Sequence, residues 1–317
     1  MELSVVVPVY NEEANVEPLI GEINGVLRHL GKSCEVIVVD DGSEDQTFAV
    51  LSKLHREQPA LKVVRLKRNF GQTAALAAGL AYARGEIVVL MDGDGQNDPA
   101  DIPALLAKIA EGNDLVAGWR FDRRDPFLSR RLPSMIANRL ISWTTRVKLH
   151  DYGCTLKAMR QDIAKNLKLY GEMHRFIPAI AFERGARIAE LKVNHRPRLR
   201  GKSKYGITRT LRVVLDLLTV KFMISYSTRP SHVFGPIGIL SGLSGFLIAI
   251  YLTIQKLVYE LEIGGRPLLL LAILLIFIGF QFVTMGLLGE MLARTYHESQ
   301  DRAVFVVGEI LEERNSV

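Results

Sequence analysis

Two stretches towards the C-terminal end contain no charged side chain: Phe234–Ile254, 21 residues, and Leu268–Gly289, 22 residues, with Gln281 the one strongly polar group in the second. As helices each reaches roughly 32 Å, enough to cross about 30 Å of hydrocarbon. The alternative is a pair of buried core helices. A domain made from the rest of a 317-residue chain seldom has interior enough for two such runs. The runs therefore predict two membrane-spanning helices. Charge gives their orientation. Arg196–Arg229 carries nine basic residues and one acid, Asp216, whereas the linker Gln255–Pro267 balances Lys256 and Arg266 against Glu260 and Glu262. The positive-inside rule then puts everything before the first span in the cytoplasm, and two spans return the C-terminus to the same side. The expected location is the inner (plasma) membrane, multi-pass, with both termini cytoplasmic.

The rest of the chain is unlike these runs. Lys+Arg outnumber Asp+Glu by 40 to 34, a net charge of +6, yet mean hydropathy is +0.15. That combination fits a charged soluble part joined to a very apolar part and excludes disorder, collagen and disulfide scaffolds. Cys34 and Cys154 lack metal-ligand or redox spacing and read as buried thiols in a reducing compartment. Met1-Glu2-Leu3 runs straight into a strand pattern, which predicts no signal peptide.

Residues 1–195 alternate short apolar runs with amphipathic stretches. Leu3–Val7, Glu35–Val39, Lys62–Leu66, Glu86–Met91 and Asp114–Ala117 read as strands buried on both faces. Glu13–Leu30, Gln46–Arg56, Gln72–Arg84 and Pro99–Ala110 read as helices between them. This alternation predicts a mostly parallel α/β sheet, whose ligands bind beyond the carboxyl ends of its strands. Ser203–Ser227 is amphipathic, with Arg209, Arg212 and Lys221 among Leu211, Val214, Leu215, Leu218 and Phe222. It is either packed on the domain or laid in the membrane interface; the spans that follow favour the interface. Ala303–Val307 reads as a late strand. The expected divisions are 1–202, a soluble domain; 203–230, a juxtamembrane helix; 231–293, the two spans; and 294–317, a tail. Gly235, Gly238, Gly242 and Gly245 recur at three- and four-residue spacings, from ordinary glycine enrichment or from close packing that would support a homo-oligomer.

The polar residues at the strand ends carry the chemistry. Asp92-Gly93-Asp94-Gly95-Gln96 follows the run Ile87–Met91. Two carboxylates two residues apart can face one point if the backbone turns, and the glycines permit the turn and a close ligand approach. Such oxygen ligands suit Mg²⁺ or Mn²⁺ with substrate phosphates completing the shell. An EF-hand fails, because a strand precedes the motif and position twelve is Pro103; a G-x-G-x-x-G dinucleotide loop is absent. A plain acidic turn stays open. Pro8-Val9-Tyr10-Asn11-Glu12, Val39-Asp40-Asp41-Gly42-Ser43 and Arg68-Asn69-Phe70-Gly71 would end the first three strands at the same edge. Each alone is an ordinary turn. Gly118–Arg124 and Ser129-Arg130-Arg131 make a basic loop: a solvated surface, an anionic-lipid contact, or a clamp of bidentate Arg forks for a second phosphate. Nothing resembling a nucleic-acid motif accompanies these charges.

The motifs VVVPVYNEE, VVDDGS, RNFGQTAAL, VVLMDGDGQNDP, DYGC at Asp151–Cys154 and RLRGKSKY at Arg198–Tyr205 occur in an order that resembles the family 2 glycosyltransferases of GT-A fold. Most similar are the polyprenyl-phosphate glycosyltransferases, and the likeness covers nearly the whole chain. The resemblance implies that Pro8, Tyr10, Asn11, Glu12, Asp40, Asp41, Asn69, Gly71, Asp92 and Gly93 line a nucleotide-sugar pocket. It implies a metal and diphosphate site at Asp92, Asp94 and Gln96, with Asp94 the foremost ligand. Asp151 matches an acidic position near the acceptor. Arg198, Ser203 and Lys204 fit R-x-x-G-x-S-K and would close over phosphates; separately, the basic loop's Arg120, Arg123, Arg124, Ser129, Arg130 and Arg131 read as the acceptor-phosphate clamp, with Arg123 and Arg131 foremost. The implied reaction moves a sugar, expected to be glucose from UDP-glucose, onto polyprenyl phosphate with inversion. GDP-mannose, UDP-aminoarabinose and UDP-N-acetylhexosamine fit the same motifs. A processive synthase would need more spans and a QxxRW-type motif; a non-catalytic scaffold would not need the Asp92/Asp94/Gln96 set.

Overall fold

The computed structural model describes residues 1–58, 60–121, 138, 142, 145, 147–169, 173–196, 231–263, 265–299 and 305–312, with backbone alone at 231–233, 290 and 293–299. The chain divides into two units, Met1–Leu217 with Ala303–Val317, and Leu218–Arg302.

The first unit is an α/β sheet domain. Strands β1 (Leu3–Val9), β2 (Cys34–Asp40), β3 (Leu61–Leu66), β4 (Ile87–Leu90) and β5 (Leu115–Arg120) form where the apolar runs predict them. Helices α1 (Val16–Leu30), α2 (Thr47–Glu57), α3 (Gln72–Tyr82) and α4 (Ile102–Ala110) separate them. On α1, Val16, Leu19, Ile20, Ile23 and Leu27 form one buried stripe, the 3.6-residue period of a helix laid on a sheet. Four elements carry no strong sequence signal: β6 (Lys157–Arg160), α5 (Gln161–Asn166), α6 (Ile177–Glu183) and β7 (Ile188–Val193). The first two are short, and β6 opens on a lysine, which a sequence pattern reads as solvent-facing.

The sheet order is β7-β5-β6-β4-β1-β2-β3-β8, where β8 is Val307–Leu311. The centre, β4-β1-β2-β3, is parallel throughout. Strand β6 runs antiparallel to β4 and β5, β7 pairs parallel with β5, and β8 pairs antiparallel with β3. The late strand thus exists but starts at Val307, where the expected Ala303–Val307 ends. Val5, Val6, Val7, Ile37, Val38, Val63, Val64, Val88 and Val89 are fully buried, as strands covered on both faces must be. Because the four central strands are parallel neighbours, their carboxyl ends meet on one edge.

The second unit is a helix pair, α7 (Ser231–Tyr259) and α8 (Pro267–Ser299). Phe234–Tyr259 and Pro267–Gly289 are long and apolar enough to cross a membrane, and most of their side chains are exposed. Two of the glycines of α7 find their partner within this chain. A Cβ on Gly238 would lie 2.7 Å from the Gly279 carbonyl oxygen, and one on Gly245 would lie 2.6 Å from that of Ala272. Ser241 Oγ donates to the Leu275 carbonyl at 3.0 Å. Gly238 and Gly245 are therefore used in packing one helix of the pair on the other, a cause the spacing alone does not separate from oligomerisation. Added Cβ atoms on Gly235 and Gly242 would meet nothing.

Candidate active site at the strand ends

Strand β2 delivers Asp40 and Asp41, and the structure gives the two carboxylates different work. Asp40 is fully buried. Its Oδ1 accepts the Ser43 N–H at 3.0 Å. Its Oδ2 is buried with no hydrogen-bond partner among the described residues, and Arg65 Nε of β3 faces it at 3.6 Å. Asp41 accepts the Phe70 N–H at 2.8 Å and the Gly71 N–H at 2.9 Å, one on each oxygen. Burial pushes its carboxyl up while these two donors pull it down. Asp41 is committed to holding the turn after β3, and Asp40 keeps an open acceptor. Gly42, at φ +69, lies so close to Arg68 and Asn69 that any Cβ would enter their backbone. The ends of β2 and β3 are thereby locked together, with Asn69 exposed and Gly71 half-buried.

The end of β1 is tied to the entrance of α2. The Asn11 N–H donates to Ser43 Oγ at 2.9 Å, and Asn11 Oδ1 accepts the Glu44 N–H at 2.9 Å. The Glu12 N–H donates to Thr47 Oγ1 at 2.9 Å, and Glu12 Oε2 accepts Asn15 Nδ2 at 2.6 Å. Pro8 is buried beneath this turn, and Tyr10 is half-buried beside it.

Beyond β4 lies the acidic turn. Asp92 accepts Gln72 Nε2 of α3 at 2.7 Å, and its own N–H donates to Asn97 Oδ1 at 3.1 Å. Burial pushes its carboxyl up to about 6 and the Asp94 charge adds to this, against the Thr155 hydroxyl, Arg120 and Lys157. Asp94 Oδ1 accepts the Gln96 N–H at 3.1 Å. Gly95, at φ +72 with open space around it, makes the turn as expected. Gly93 does otherwise. A Cβ there would stand 2.5 Å from Val9 Cγ1 and 2.8 Å from the Pro8 carbonyl oxygen, so the close approach is to the chain's own β1.

Behind this turn, Asp151 and Arg120 form a bidentate pair, Nε to Oδ2 at 2.7 Å and Nη2 to Oδ1 at 2.9 Å. Asp151 Oδ1 also accepts the Gly153 N–H at 3.0 Å. The sequence gives these two residues separate tasks; the fold makes each the other's partner. Arg123, Arg124, Ser129, Arg130, Arg131, Arg198, Ser203 and Lys204 lie outside the described residues, as does the Ser203–Ser227 stretch.

Among the described residues no trio of His, Cys, Asp and Glu converges to cage a metal. What the turn offers is two carboxylates and a carboxamide, hard oxygen donors, with the Asp92 carboxyl raised first by burial and then by the Asp94 charge. That set fits a Mg²⁺- or Mn²⁺-type ion whose remaining ligands come from substrate and water.

A family model described as Glycosyl transferase family 2 matches residues 4–168. This chain is a family 2 glycosyltransferase. Among its relatives, a dodecaprenyl-phosphate galacturonate synthase of Rhizobium johnstonii is 45% identical over 99% of this chain and 94% of its own. An undecaprenyl-phosphate 4-deoxy-4-formamido-L-arabinose transferase of Pseudomonas aeruginosa is 37% identical over 98% and 90%. The resemblance to polyprenyl-phosphate glycosyltransferases thus extends along the chain. A glucosyl-3-phosphoglycerate synthase of Mycobacterium tuberculosis, solved with Mn²⁺ and UDP-glucose, shares the fold at 24% identity and TM-score 0.56, over 72% of this chain and 81% of that one.

Several residues that shape the glycosyltransferase site escape sequence reasoning. Gln72 and Thr155 hold Asp92 from α3 and from the segment before β6. Arg196 donates its N–H to the Gln96 carbonyl at 2.9 Å and its guanidinium to Asp98 at 2.7 Å, lacing the acidic turn to the chain beyond β7. Burial raises Asp98, but Asn194, the Ala100 N–H and Arg196 together hold its carboxyl below the usual range. His174, buried, shares a 2.8 Å hydrogen bond with Thr73, next to Gln72. Of these, Asp98-Pro99 has a signal: an Asp before Pro marks a cap.

Proposed function

We propose that this glycosyltransferase moves a sugar from a uridine diphosphate donor onto a polyprenyl phosphate at the membrane surface, with inversion. The observation that carries the reading is the division of labour at the sheet edge: a buried carboxylate oxygen left open at Asp40, beside an acidic turn with two further carboxylates. A buried acceptor without a donor is costly unless a ligand N–H completes it, as a nucleobase edge can. Pro8, Tyr10, Asn11, Glu12, Asn69 and Gly71 surround that point as the donor pocket. Asp92, Asp94 and Gln96 would hold the divalent ion, which when bound neutralises charge on the departing diphosphate. The relatives' names supply the acceptor class, and α7 and α8 would keep the chain where such a lipid resides, the catalytic unit facing the cytoplasm.

The attacking group is a phosphomonoester oxygen with a second pKa near 6, largely deprotonated at neutral pH. Its oxygen forms the new bond to the anomeric carbon as the bond to the diphosphate breaks, so no strong base is required. This agrees with Asp151, whose oxygens are occupied by Arg120 and Gly153. Asp151 orients Arg120, and Arg120 with the basic loop addresses the acceptor phosphate. Retention of the acid-side limb in the pH–rate profile of Asp151→Asn, set by the acceptor phosphate's own ionisation, is the expected result.

For the donor, UDP-glucose is the expectation from sequence, but the relative at 45% identity is named for galacturonate and the one at 37% for a formamidoarabinose. UDP-galacturonate is therefore the better-supported donor. Detergent-purified protein would be incubated with a polyprenyl phosphate and labelled UDP-galacturonate, UDP-glucose, UDP-formamidoarabinose, UDP-N-acetylglucosamine or GDP-mannose, with Mg²⁺, Mn²⁺ or EDTA. Metal-dependent label in the lipid phase from UDP-galacturonate supports the reading. Label from UDP-glucose alone restores the expectation from sequence, and folded protein that labels lipid from no donor overturns the function.

A further inference from the structure

Strand β8 reaches the edge of the sheet after the chain has passed through the helix pair. It pairs with β3 in register Val63↔Leu311, Val64↔Ile310, Arg65↔Glu309 and Leu66↔Val307, with an irregularity between Arg65 and Leu66. On its other side Arg65 is the register partner of Asp40 on β2. Asp40, Arg65 and Glu309 thus form one lateral row across three strands, acidic, basic, acidic. A break in a ladder re-aims the side chain beside it, and Arg65 turns to lie 4.2 Å over the Phe48 ring and 3.6 Å from Asp40 Oδ2.

That last distance is informative. It is short enough for the guanidinium to serve as counter-charge to a buried carboxylate, and too long to occupy the oxygen's lone pairs. Asp40 is oriented and still open. Strand β8 is fastened on both sides of this point. The Lys67 N–H donates to the Val306 carbonyl at 3.0 Å on one side. On the other, Glu312 meets buried Lys62 at 3.0 Å and Arg84 at 2.5 Å. Without β8, β3 would be a bare edge strand, its backbone held from the β2 side alone where Arg65 turns.

We propose that Arg65 is a positioning residue for the donor pocket, and that the C-terminal strand β8 holds it in place. The donor site is then completed by chain that lies beyond the membrane-crossing helices. The proposal rests on the reading of Asp40 as a nucleotide contact.

The test uses the full-length protein in detergent, with UDP binding by calorimetry and separate KM values for donor and acceptor. Arg65→Met removes the charge and keeps the stem on Phe48. Ile310→Pro opposes β8 pairing. Each is expected to weaken UDP binding and raise donor KM by about tenfold, leaving acceptor KM unchanged, with Arg65→Lys recovering part of the loss. Unchanged donor KM with only a reduced kcat would show a purely structural role and overturn the proposal. Arg65→Met leaves β8 intact, so the question is decided even where Ile310→Pro aggregates. Asp40→Asn separates the two levels. If it leaves UDP binding intact, the reading of the pocket fails and this proposal with it; if it weakens UDP binding while Arg65→Met does not, the proposal alone fails.

Discussion

The sheet unit and the helix pair use the same apolar residue types and treat them in opposite ways. Ile37, Val63 and Leu115 are wholly shut away, whereas Leu240, Leu257 and Leu270 are each at least 70% exposed. In the sheet, strands covered on both faces remove apolar surface from water by the chain's own packing, at about 25 cal/mol per Å². In the helix pair the chain satisfies its backbone internally and leaves its apolar side chains outward, an arrangement suited to an apolar surround such as lipid. The difference teaches that a run of Leu and Ile fixes a need for an apolar surround without saying what supplies it. It also explains where the chemistry is. Charged groups cluster at the sheet edge, where water, backbone donors and ion pairs compensate them; the described spans have no such compensation.

Four experiments would break or sharpen this contrast. The largest effect is expected at the acidic turn. Asp94→Ala should cut transfer by on the order of 10³-fold with the melting curve unchanged, whereas Leu257→Ala should leave transfer intact. Both are read by label in the lipid phase, and equal losses would remove the functional separation of the units.

Next, Ile37→Ala should destabilise the sheet unit by about 2–5 kcal/mol. Leu257→Ala, on an already exposed side chain, should cost less than about 0.5 kcal/mol in detergent. Denaturation in one detergent compares them directly. A similar cost at Leu257 would mean that protein covers that face.

Glycine contacts offer a third comparison. Gly93→Ala would press on Val9 and the Pro8 carbonyl, and Gly238→Ala on the Gly279 carbonyl. Each should cost about 1–3 kcal/mol, the former also lowering activity and the latter loosening only the helix pair. A Gly238→Ala variant that changes oligomer mass and not thermal stability would return that glycine to an intermolecular role.

The last comparison is a pH dependence confined to the sheet unit. Burial, with Arg175 and Lys157 adding, pushes the His174 imidazole down to about 3. The unfolded chain, with an ordinary histidine near 6.5, binds the proton first. Stability from the neutral imidazole is therefore fully present above about pH 6.5 and falls as pH drops towards 3. His174→Asn should flatten that part of the acid-denaturation curve. An unaltered slope between pH 6 and 4 would show that His174 titrates normally.

Much of this was legible beforehand. Continuous apolar runs such as Val36–Val39 mark strands buried on both faces, and the polar groups that end them follow from parallel order. Strands β6 and β7 were not legible. Lys157 looks like a surface residue and is buried because the Cys154 carbonyl accepts its ammonium, with the charges of Asp92 and Asp151 near it. The partnership of Arg120 with Asp151, 31 positions away, is likewise invisible to local pattern.

By itself the sequence determined the α/β class, the two helices long and apolar enough to span a membrane, the family and the four polar strand ends. These are written in local periodicity, length and turn chemistry, which need no distant partner. Only the tertiary structure decided which carboxylate is open and which is a brace. Asp40 and Asp41 are adjacent and chemically identical, and they part company because β3 and its turn bring Phe70 and Gly71 N–H groups to one and Arg65 to the other. A carboxylate's role is set by the donors that reach it, and those arrive across the sheet, not along the chain.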